Sequence, residues 1–405
     1  MEASELSPPP PSNSPKTLYQ HHLFNLNNNS FQAAQDSSSP ISLPMNNNSQ
    51  LHADHKSKAS KPFLPLLLVN YFCLFVGSVS STLLSKFYFN RKGSSRWLST
   101  WVQSAGFPLL IIPIYLPYLL KCTERRPFTH FTQKILILSI LIGLMLGLNN
   151  LLFSWGNSYL PVSTSSLLLS SQLIFNLILS VIIVKQKITF SNLNCVILLT
   201  LSSILLALAS NHDKPPGLTR GKYFIGFFST IGAGLLFALY LPVMEMIYKK
   251  VYCYQMVMEM QLVMEVAATA LACVGMALDR HGGISEIRNE SRRVFDGGPT
   301  VYWVTVFFNV VTWQLCFMGT AGMVFLTSSL TGGVCMTALM GMNVLGGVLV
   351  YGDVFGGEKA VSTVLCAWGF SSYVYGLYVK MKEEKAKEKS NQGIMEMVHV
   401  VNDSV

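Results

Sequence analysis

The charge-free stretch between residues 135 and 184 decides the fold, and it reads ILILSILIGLMLGLNNLLFSWGNSYLPVSTSSLLLSSQLIFNLILSVIIV. An α-helix rises about 1.5 Å per residue, so about 20 residues cross the roughly 30 Å hydrocarbon core of a bilayer. A stretch of this length without Asp, Glu, Lys or Arg is long enough for two crossings. We therefore expect a helical hairpin within the membrane, reversing near Gly156 and Asn157.

The composition of the whole chain agrees with a membrane protein. Of 405 residues, 50% are apolar and only 12% are charged, and the mean hydropathy is +0.40. Soluble domains carry roughly 25% charged residues, so these values exclude a disordered chain, a coiled coil and most soluble enzymes. Ten apolar spans approach the length of a crossing, at residues 63–85, 99–120, 135–155, 160–184, 193–210, 223–247, 256–278, 301–320, 324–350 and 360–379. The sequence predicts an all-α polytopic membrane protein with ten transmembrane helices.

A second charge-free stretch, residues 297–352, predicts another hairpin, with a reversal near Gly322 and Met323. The first hairpin joins the third and fourth spans, whereas the second joins the eighth and ninth. This spacing indicates a repeat of five spans, and an odd number of helices per repeat makes the two copies inverted in the membrane. The predicted repeats are residues 63–210 and 223–379.

The two ends of the chain differ from the apolar region. Ser, Pro, Asn and Gln make up 31 of the first 60 residues, so residues 1–60 are predicted to be a disordered polar tail. Residues 380–405 are predicted to be a cytosolic C-terminal tail. With both ends in the cytosol, and with Lys16 of the N-terminal tail left aside, 16 Lys and Arg residues fall on the inner side and 12 on the outer side. The positive-inside rule favours this orientation.

Other classes of function find no support in the sequence. The net charge of +9 comes from short basic segments between apolar spans, where it orients helices, so no nucleic-acid partner is predicted. The eight cysteines form no C-x-x-C pair, and the eight histidines all lie in tails or loops. We therefore expect neither a metal nor a cofactor. Walker, H-E-x-x-H and G-x-S-x-G motifs are missing from the sequence, so we expect no enzyme.

Uncharged hydrogen-bonding side chains form stripes inside the predicted membrane helices. Gln172, Asn176 and Ser180 recur every four residues in the fourth span, on one face of a helix. Further members are Asn149 and Asn150 in the third span and Thr305, Asn309, Trp313, Cys316 and Thr320 in the eighth. Amides in hydrocarbon are costly unless paired, so such stripes either bond helices together or line a wet cavity. Their recurrence in repeat-related spans favours a cavity lined by the third, fourth, eighth and ninth spans.

Three acidic residues, Glu245, Glu259 and Glu265, fall within predicted spans. Charged side chains are costly in a membrane and mark ion pathways or proton relays. Glu245 lies one helical turn before Lys249, so an interfacial ion pair is an alternative for it. Glu259 is near the beginning of the seventh span, and Glu265 is deeper. We expect proton coupling or substrate binding from these carboxylates.

Several separated motifs also occur in order along the apolar region. They read KFYFNRKGSSRWLSTWVQSAGFPLLIIPIYLPY at 86–118, LPVSTSSLLLSSQLIFN at 160–176, VTWQLCFMGTAGMVFLTSSL at 311–330 and AWGFSSYVYGLY at 367–378. Together they resemble the plant purine permeases, a family of the drug/metabolite transporter superfamily, over residues 63–380. The resemblance implies ten helices in two inverted repeats, both ends in the cytosol, and proton-coupled uptake of adenine-like bases or cytokinins.

The resemblance further implies cavity roles for Trp101, Gln103, Gln172, Asn176, Trp313 and Gln314. A flat heteroaromatic substrate needs a ring to stack on and amides that bond its edge, and these residue types supply both. With the asparagines of the stripes, the candidate substrate-binding set is Trp101, Gln103, Asn150, Gln172, Asn176, Asn309, Trp313 and Gln314.

We therefore predict a secondary active transporter, a proton symporter for purine nucleobases and related heteroaromatics such as cytokinins, in the plasma membrane. Its partners would be a purine-like small molecule, protons and the lipid bilayer. Two alternatives remain: a carrier of another metabolite in the same superfamily, such as a phosphate ester, and a non-transporting membrane receptor or scaffold. The span centres contain no Lys or Arg, which favours a neutral or weakly charged substrate.

Overall fold

A computed structural model describes residues 63–121, 125–129, 131–185, 190–209, 219–251, 253–279, 284–352 and 356–402, and the regular elements of this part of the chain are all helices. In chain order they are α1 (Phe63–Asn90), α2 (Arg96–Ser104), a 3₁₀ helix (Phe107–Leu110), α3 (Ile111–Leu119), α4 (Gln133–Tyr159), α5 (Val162–Ser170), α6 (Gln172–Val184), α7 (Phe190–Ala209), α8 (Arg220–Tyr248), α9 (Tyr254–Leu278), α10 (Ile284–Asn289), a π-helical turn (Glu290–Val294), α11 (Gly298–Leu326), α12 (Ser329–Tyr351) and α13 (Gly357–Asn402). The predicted N-terminal tail, residues 1–60, lies outside the described residues.

Within the described residues, eight helical runs are long and apolar enough to cross a membrane. Six are the uninterrupted helices α1, α4, α8, α9, α11 and α12, and two are the interrupted runs Arg96–Leu119 and Thr164–Val184. The prediction of an all-helical multi-pass membrane protein is confirmed. Helices α7 and α13 occupy the fifth and tenth predicted spans but are not among the eight. Helix α13 also continues to Asn402, through the predicted C-terminal tail, because Lys, Glu and Ala favour helix there.

Both hairpin reversals lie a few residues later than expected. The chain turns at Leu160 and Pro161 after α4, and at Thr327 and Ser328 after α11. Pro161 has no N–H to continue α4, whereas the Ser328 hydroxyl caps α12 by accepting a hydrogen bond from the Thr331 N–H at 3.2 Å.

Gly156 and Gly322, where the reversals were expected, are packing positions inside helices instead. A Cβ atom at Gly156 would overlap the Thr230 side chain of α8, and one at Gly322 would overlap the Asn70 side chain of α1. These glycines allow neighbouring helices to approach closely, so their function here is contact rather than turn formation.

Two predicted spans are interrupted, which the sequence analysis did not foresee. The second span breaks at Ala105 and Gly106 between α2 and the 3₁₀ helix, and the fourth breaks at Ser171 between α5 and α6. At the first break Pro108 is the second residue of the 3₁₀ helix, and a Cβ at Gly106 would lie only 2.7 Å from the Gln314 side chain. Both breaks lie near mid-span, and Ala105, Gly106 and Ser171 keep right-handed helical dihedral angles, so each break is a local tightening of the helix.

The most extensive helix contacts connect the two predicted repeats. Helix α1 packs along α11, and α4 packs along both α8 and α9. At the first of these contacts Gly77 abuts the backbone of Cys316, and Gly319 abuts the backbone of Leu74. Helix α7 lies along α13, while α5 and α6 pack on α12. The centre of the bundle is therefore surrounded by helices from both repeats.

Candidate functional site

A cavity lies at this centre. Helices α1, α2, α4, α5, α6, α8, α11 and α12 contribute its walls. The lining residues are Ser78, Ser81, Thr82, Gln103, Asn149, Phe153, Leu169, Gln172, Ala233, Phe237, Trp313, Cys316, Phe317, Met336 and Met340. None of these residues carries a charge, so the cavity is suited to a neutral ligand with hydrogen-bonding edges.

Two glutamines supply unsatisfied hydrogen-bonding atoms at this cavity. Gln103 donates from Nε2 to the Asn150 carbonyl at 3.1 Å and to the Ser154 hydroxyl at 2.9 Å. These bonds fix the amide, and its buried Oε1 accepts no hydrogen bond within the described residues. The buried Nε2 of Gln172 likewise has no acceptor there. Buried polar atoms are costly when unpaired, so the site offers one acceptor and one donor to a ligand.

Both glutamines owe their positions to the interrupted spans. Gln103 precedes the break at Ala105 by two residues, and Gln172 is the first residue of α6, directly after the break at Ser171. The backbone N–H groups of Ala105 and Ser171 stay hydrogen-bonded to the preceding helical turn, to the carbonyls of Trp101 and Leu168. In transporters such broken helices commonly form the substrate site near the bilayer midplane.

Aromatic side chains form one wall of the cavity. The Trp313 and Phe317 rings are stacked, with centroids 5.6 Å apart and planes at 27°. Phe153 meets Trp313 edge to face, with centroids 5.3 Å apart. Trp313 is held in place because its indole N–H donates to the Ser85 hydroxyl at 3.2 Å. A flat ring can stack on such a wall while the glutamines bond its edge.

Three of the eight predicted substrate-binding residues, Gln103, Gln172 and Trp313, line the cavity. The asparagines instead bond helices to one another. The Asn176 amide donates to the Ser329 carbonyl at 3.1 Å, joining α6 to α12, and Asn309 bonds the Ser85 hydroxyl at 3.3 Å, joining α11 to α1. The backbone carbonyl of Asn150 accepts a hydrogen bond from the side-chain amide of Gln103.

The remaining two predicted residues also lie outside the cavity lining. Trp101 is partly buried on α2, against the apolar core. Gln314 is buried on α11 and donates to the Glu265 carboxylate at 3.3 Å. Although neither lines the cavity, Gln314 is adjacent to Trp313 in sequence and packs at the Gly106 break.

Glu245 and Glu259, two of the three predicted carboxylates, are each paired with a cation. Glu245 lies 3.3 Å from Lys249 and accepts from the Ser329 N–H at 2.7 Å, which fixes the start of α12. Glu259 is fully buried and lies 3.0 Å from Arg125, which precedes α4 in the chain. Glu245 and Lys249, for which the sequence offered an ion pair as an alternative, thus lie within ion-pair distance at the end of α8.

Glu265 differs because its neighbours are amides. It is fully buried on α9, and Oε1 accepts from Gln261 at 2.9 Å and from Gln314 at 3.3 Å. Its buried Oε2 has no hydrogen-bond partner among the described residues. Tyr240 of α8 extends this network by donating to Gln261 at 3.1 Å. The carboxylate is thus connected through Gln314 to the helix that carries the aromatic wall.

Several lining residues were missed by the sequence analysis. Phe153 and Phe237 have no distinguishing signal among the many apolar residues around them. Ser78, Ser81 and Thr82 of α1 did carry one, because with Ser85 they form a hydroxyl stripe at helical spacing. A polar stripe of this kind predicts that α1 lines the cavity, as the stripes of the fourth and eighth spans do for their helices.

A family model described as purine nucleobase transmembrane transport matches residues 65–383 of the chain, a range that contains every residue of the cavity lining. The chain belongs to the purine permease family. It is 69% identical to Probable purine permease 4 of Arabidopsis thaliana over 304 residues, which cover 75% of this chain and 79% of that one. Purine permease 3 of the same plant is 34% identical over 333 residues, covering 80% and 93% of the two chains.

A solved crystal structure shares the fold of this purine permease at 12% identity, with a TM-score of 0.53, over 76% of this chain and 98% of that chain. Members of the family are transport proteins. The chain is accordingly a multi-pass membrane transport protein and not an enzyme.

Proposed function

We propose that this purine permease is a proton symporter that carries purine nucleobases, and adenine derivatives such as cytokinins, by alternating access. The observation that carries this proposal is the uncharged central cavity, which is lined by an aromatic wall and by two glutamines whose amides each have an unsatisfied hydrogen-bonding atom. The named relatives and the matched family give the purine class its support.

The cavity chemistry suits a purine. The ring would stack on the wall formed by Trp313 and Phe317, while its edge would donate to Gln103 Oε1 and accept from Gln172 Nε2. A phosphate ester would require Lys or Arg near the ligand, and the lining supplies neither. This argues for a neutral base over the anionic substrates of other carriers.

The packing of the helices supports ten membrane helices in two inverted repeats, residues 63–210 and 223–379. If the second repeat copies the first, spans one to five correspond to spans six to ten. A contact between the first and eighth spans then has a counterpart between the sixth and third spans. The α1–α11 and α8–α4 contacts form such a pair. In three further contacts a span packs against its own counterpart in the other predicted repeat, namely α7 on α13, α2 on α9 and α6 on α12. Rocking of two such repeats about a shared midplane cavity is the usual basis of alternating access.

Among the three carboxylates, Glu265 is the proton carrier in this proposal. Glu245 and Glu259 are balanced by Lys249 and Arg125, so their charges are already compensated. Among the described residues the hydrogen-bond donors to Glu265 are the Gln261 and Gln314 amides, and a buried carboxylate without a cation is neutralised by binding a proton. Loss or gain of that proton changes how strongly Gln314 is held beside the aromatic wall, which biases the two facing states.

In this proposal both ends of the chain lie in the cytosol, the orientation that the positive-inside rule favours. The membrane is the plasma membrane. There a proton gradient directed inward would drive accumulation of the base.

Uptake of radiolabelled adenine into cells that lack their own carrier, at pH 5 and pH 7.5, tests the proposal. We expect uptake that is faster at pH 5 and collapses when a protonophore removes the gradient. Uptake that ignores pH would eliminate proton coupling. Failure to take up any purine, with the protein present at the cell surface, would leave another metabolite or a receptor role.

A further inference from the structure

Lys86 bonds the end of α1 to the end of α4, on the side that the proposed orientation makes external. Its ammonium donates to the Asn157 carbonyl at 3.1 Å and to the Leu160 carbonyl at 2.7 Å. Asn157 lies in the last turn of α4, and Leu160 is the residue directly after that helix. The last carbonyls of a helix lack intrahelical partners and carry partial negative charge, so they favour a cation.

Glu245 makes the opposite contact at the cytosolic side of the proposed orientation, between the end of α8 and the start of α12. Its carboxylate accepts from the Ser329 N–H at 2.7 Å and also from the Ser329 hydroxyl. The first N–H groups of a helix lack partners and carry partial positive charge, so they favour an anion. Ser329 is bonded to α6 as well, because its carbonyl accepts from the Asn176 amide at 3.1 Å. The contact therefore joins three helices.

These two charged residues occupy corresponding places in the two predicted repeats. Helix α1 is the first span and α8 the sixth, and Lys86 and Glu245 each lie about one helical turn before the end of their helix. Each residue bonds the reversal of a hairpin, Lys86 that of the third and fourth spans and Glu245 that of the eighth and ninth. Their charges differ because one meets carbonyls and the other meets N–H groups.

A second pair of contacts has the same relation. Glu290, just before the eighth span, accepts from the N–H groups of Ser94 at 3.1 Å and Ser95 at 3.2 Å, between the first and second spans. Arg125, just before the third span, donates to the Cys253 sulfur at 2.9 Å, between the sixth and seventh spans. Corresponding segments of the predicted repeats are thus joined at both ends of the bundle, again through charges of opposite sign.

The Lys86 contact lies directly beyond the central cavity. Lys86 follows the lining residue Thr82 by one turn of α1, and Asn157 follows the lining residue Phe153 by one turn of α4. The contact therefore bridges two walls of the cavity just outside it. A ligand can reach the cavity from this side only when the walls separate.

The Glu245 contact lies beyond the same cavity in the other direction. Asn176 follows the lining residue Gln172 by one turn of α6, and Glu245 follows the lining residue Phe237 by about two turns of α8. Together with Ser329 these residues join three walls of the cavity on its cytosolic side. Release of a ligand toward the cytosol requires these walls to separate.

We propose that Lys86 and Glu245 are positioning residues that latch the outer and the inner end of the permease, so that the balance of the two contacts sets which side is open. The inference rests on the proposed function, because it takes the carrier to work by alternating access. Weakening the Lys86 contact favours the outward-facing state, and weakening the Glu245 contact favours the inward-facing state.

The thiol of Cys316, which lines the central cavity, can report which end is open. A membrane-impermeant methanethiosulfonate modifies this thiol from the outer side in right-side-out vesicles and from the inner side in inside-out vesicles. Mass spectrometry of the peptide that contains Cys316 gives the two rates. The ratio of the outer rate to the inner rate measures the balance between the facing states.

Lys86→Met should raise this ratio by about 10-fold, as expected for loss of a hydrogen bond to a charged group. Glu245→Gln should lower it by a similar factor, because a neutral amide holds Ser329 more weakly. The double variant should return the ratio close to that of the unmodified protein, whereas losses of stability from merely structural contacts would add. Lys92→Met is the matched control, since its exposed pair with Asp296 contributes little and the ratio should stay unchanged.

Ser329→Ala is a milder variant of the inner contact, which removes one hydroxyl and keeps the Glu245 charge. It should lower the ratio by less than Glu245→Gln does. Shifts of the same sign in Lys86→Met and Glu245→Gln, shifts no larger than that of Lys92→Met, or a double variant further from the unmodified protein than either single one would overturn the inference.

The thiol measurement needs no purine, so it separates this inference from the proposed function. A protein whose ratios shift as expected but which takes up no purine would overturn the proposed function and keep the latches for another substrate. Each variant also retains Glu265, so adenine uptake should stay faster at pH 5 than at pH 7.5 in all of them.

Discussion

The two predicted repeats of this purine permease differ in the residue chemistry that each brings to the centre. Residues 63–210 contain one acidic residue, Glu124, whereas residues 223–379 contain nine. The first half has the interrupted spans and places Gln103 and Gln172 at the cavity. In the second half the corresponding helices α9 and α12 are continuous, and α9 carries Glu259 and Glu265.

This difference suggests a division of work between the two predicted repeats. The first places neutral amides at the cavity lining, whereas the carboxylates Glu259 and Glu265 of the second lie outside that lining. The aromatic wall belongs to both halves, since Phe153 is on α4 and Trp313 on α11. The four predictions below test this division, beginning with the largest expected effect.

Arg125→Ala should have the largest effect, because it leaves the fully buried Glu259 without its cation. Breaking one side of a buried ion pair costs about 3–5 kcal/mol. We expect a marked drop in the melting temperature of the detergent-solubilised protein. The double variant Arg125→Ala with Glu259→Gln should recover part of the loss, since no charge then remains unpaired. If the loss of stability in the double variant equals the sum of the losses in the two single variants, the two residues are not energetically coupled.

Glu265→Gln should remove proton-driven accumulation. A gradient of one pH unit supplies about tenfold accumulation for each proton transported, and the amide cannot carry that proton. Uptake at pH 5 and pH 7.5 should become equal, while exchange of labelled for unlabelled adenine across the membrane continues. Glu245→Gln is the control, since the cation-paired Glu245 lies at the end of α8 and its loss should preserve the pH response. Persisting pH dependence in Glu265→Gln would move proton coupling to another group.

Gln172→Ala should raise the KM for adenine by about 5–10-fold, as expected for loss of one hydrogen bond to the ligand. Its matched control is Asn176→Ala, one turn later on α6, where the amide bonds the Ser329 carbonyl. That variant should lower thermal stability more than it raises KM. If the two variants shift KM equally, the separation of ligand contacts from helix contacts is wrong.

Ser202→Ala and Ser362→Ala should have the smallest effects, about 0.6 kcal/mol each, the average for such bonds between membrane helices. Here the halves are alike, because the two serines bond each other reciprocally across α7 and α13. Thermal stability of both variants should therefore fall by the same amount. Unequal losses would show that the halves differ at this contact as well.

Much of the fold could be predicted from the sequence, because apolar length and missing charge identify membrane helices directly. The positions of the helix ends were harder to predict. Gly156 and Gly322 suggested reversals, but each fits against a neighbouring helix whose position the sequence does not reveal. The breaks at Gly106 and Ser171 depend on packing in the same way.

For the candidate site, helical periodicity identified polar faces but not what each face meets. Gln172 and Asn176 lie on the same face of α6, and only the position of α12 decides that the first lines the cavity and the second bonds a helix. Trp313 was placed by its residue type and by family resemblance. Phe153 and Phe237 could not be distinguished from other apolar residues until the helices were assembled.

The contact between Gly77 and Cys316, and between Gly319 and Leu74, leaves no side chain between the α1 and α11 backbones. The two backbones can lie this close only while both positions lack a side chain. Helix α1 belongs to the first predicted repeat and α11 to the second. A methyl group added at Gly77 or Gly319 would therefore force the two predicted repeats apart along their most extensive contact.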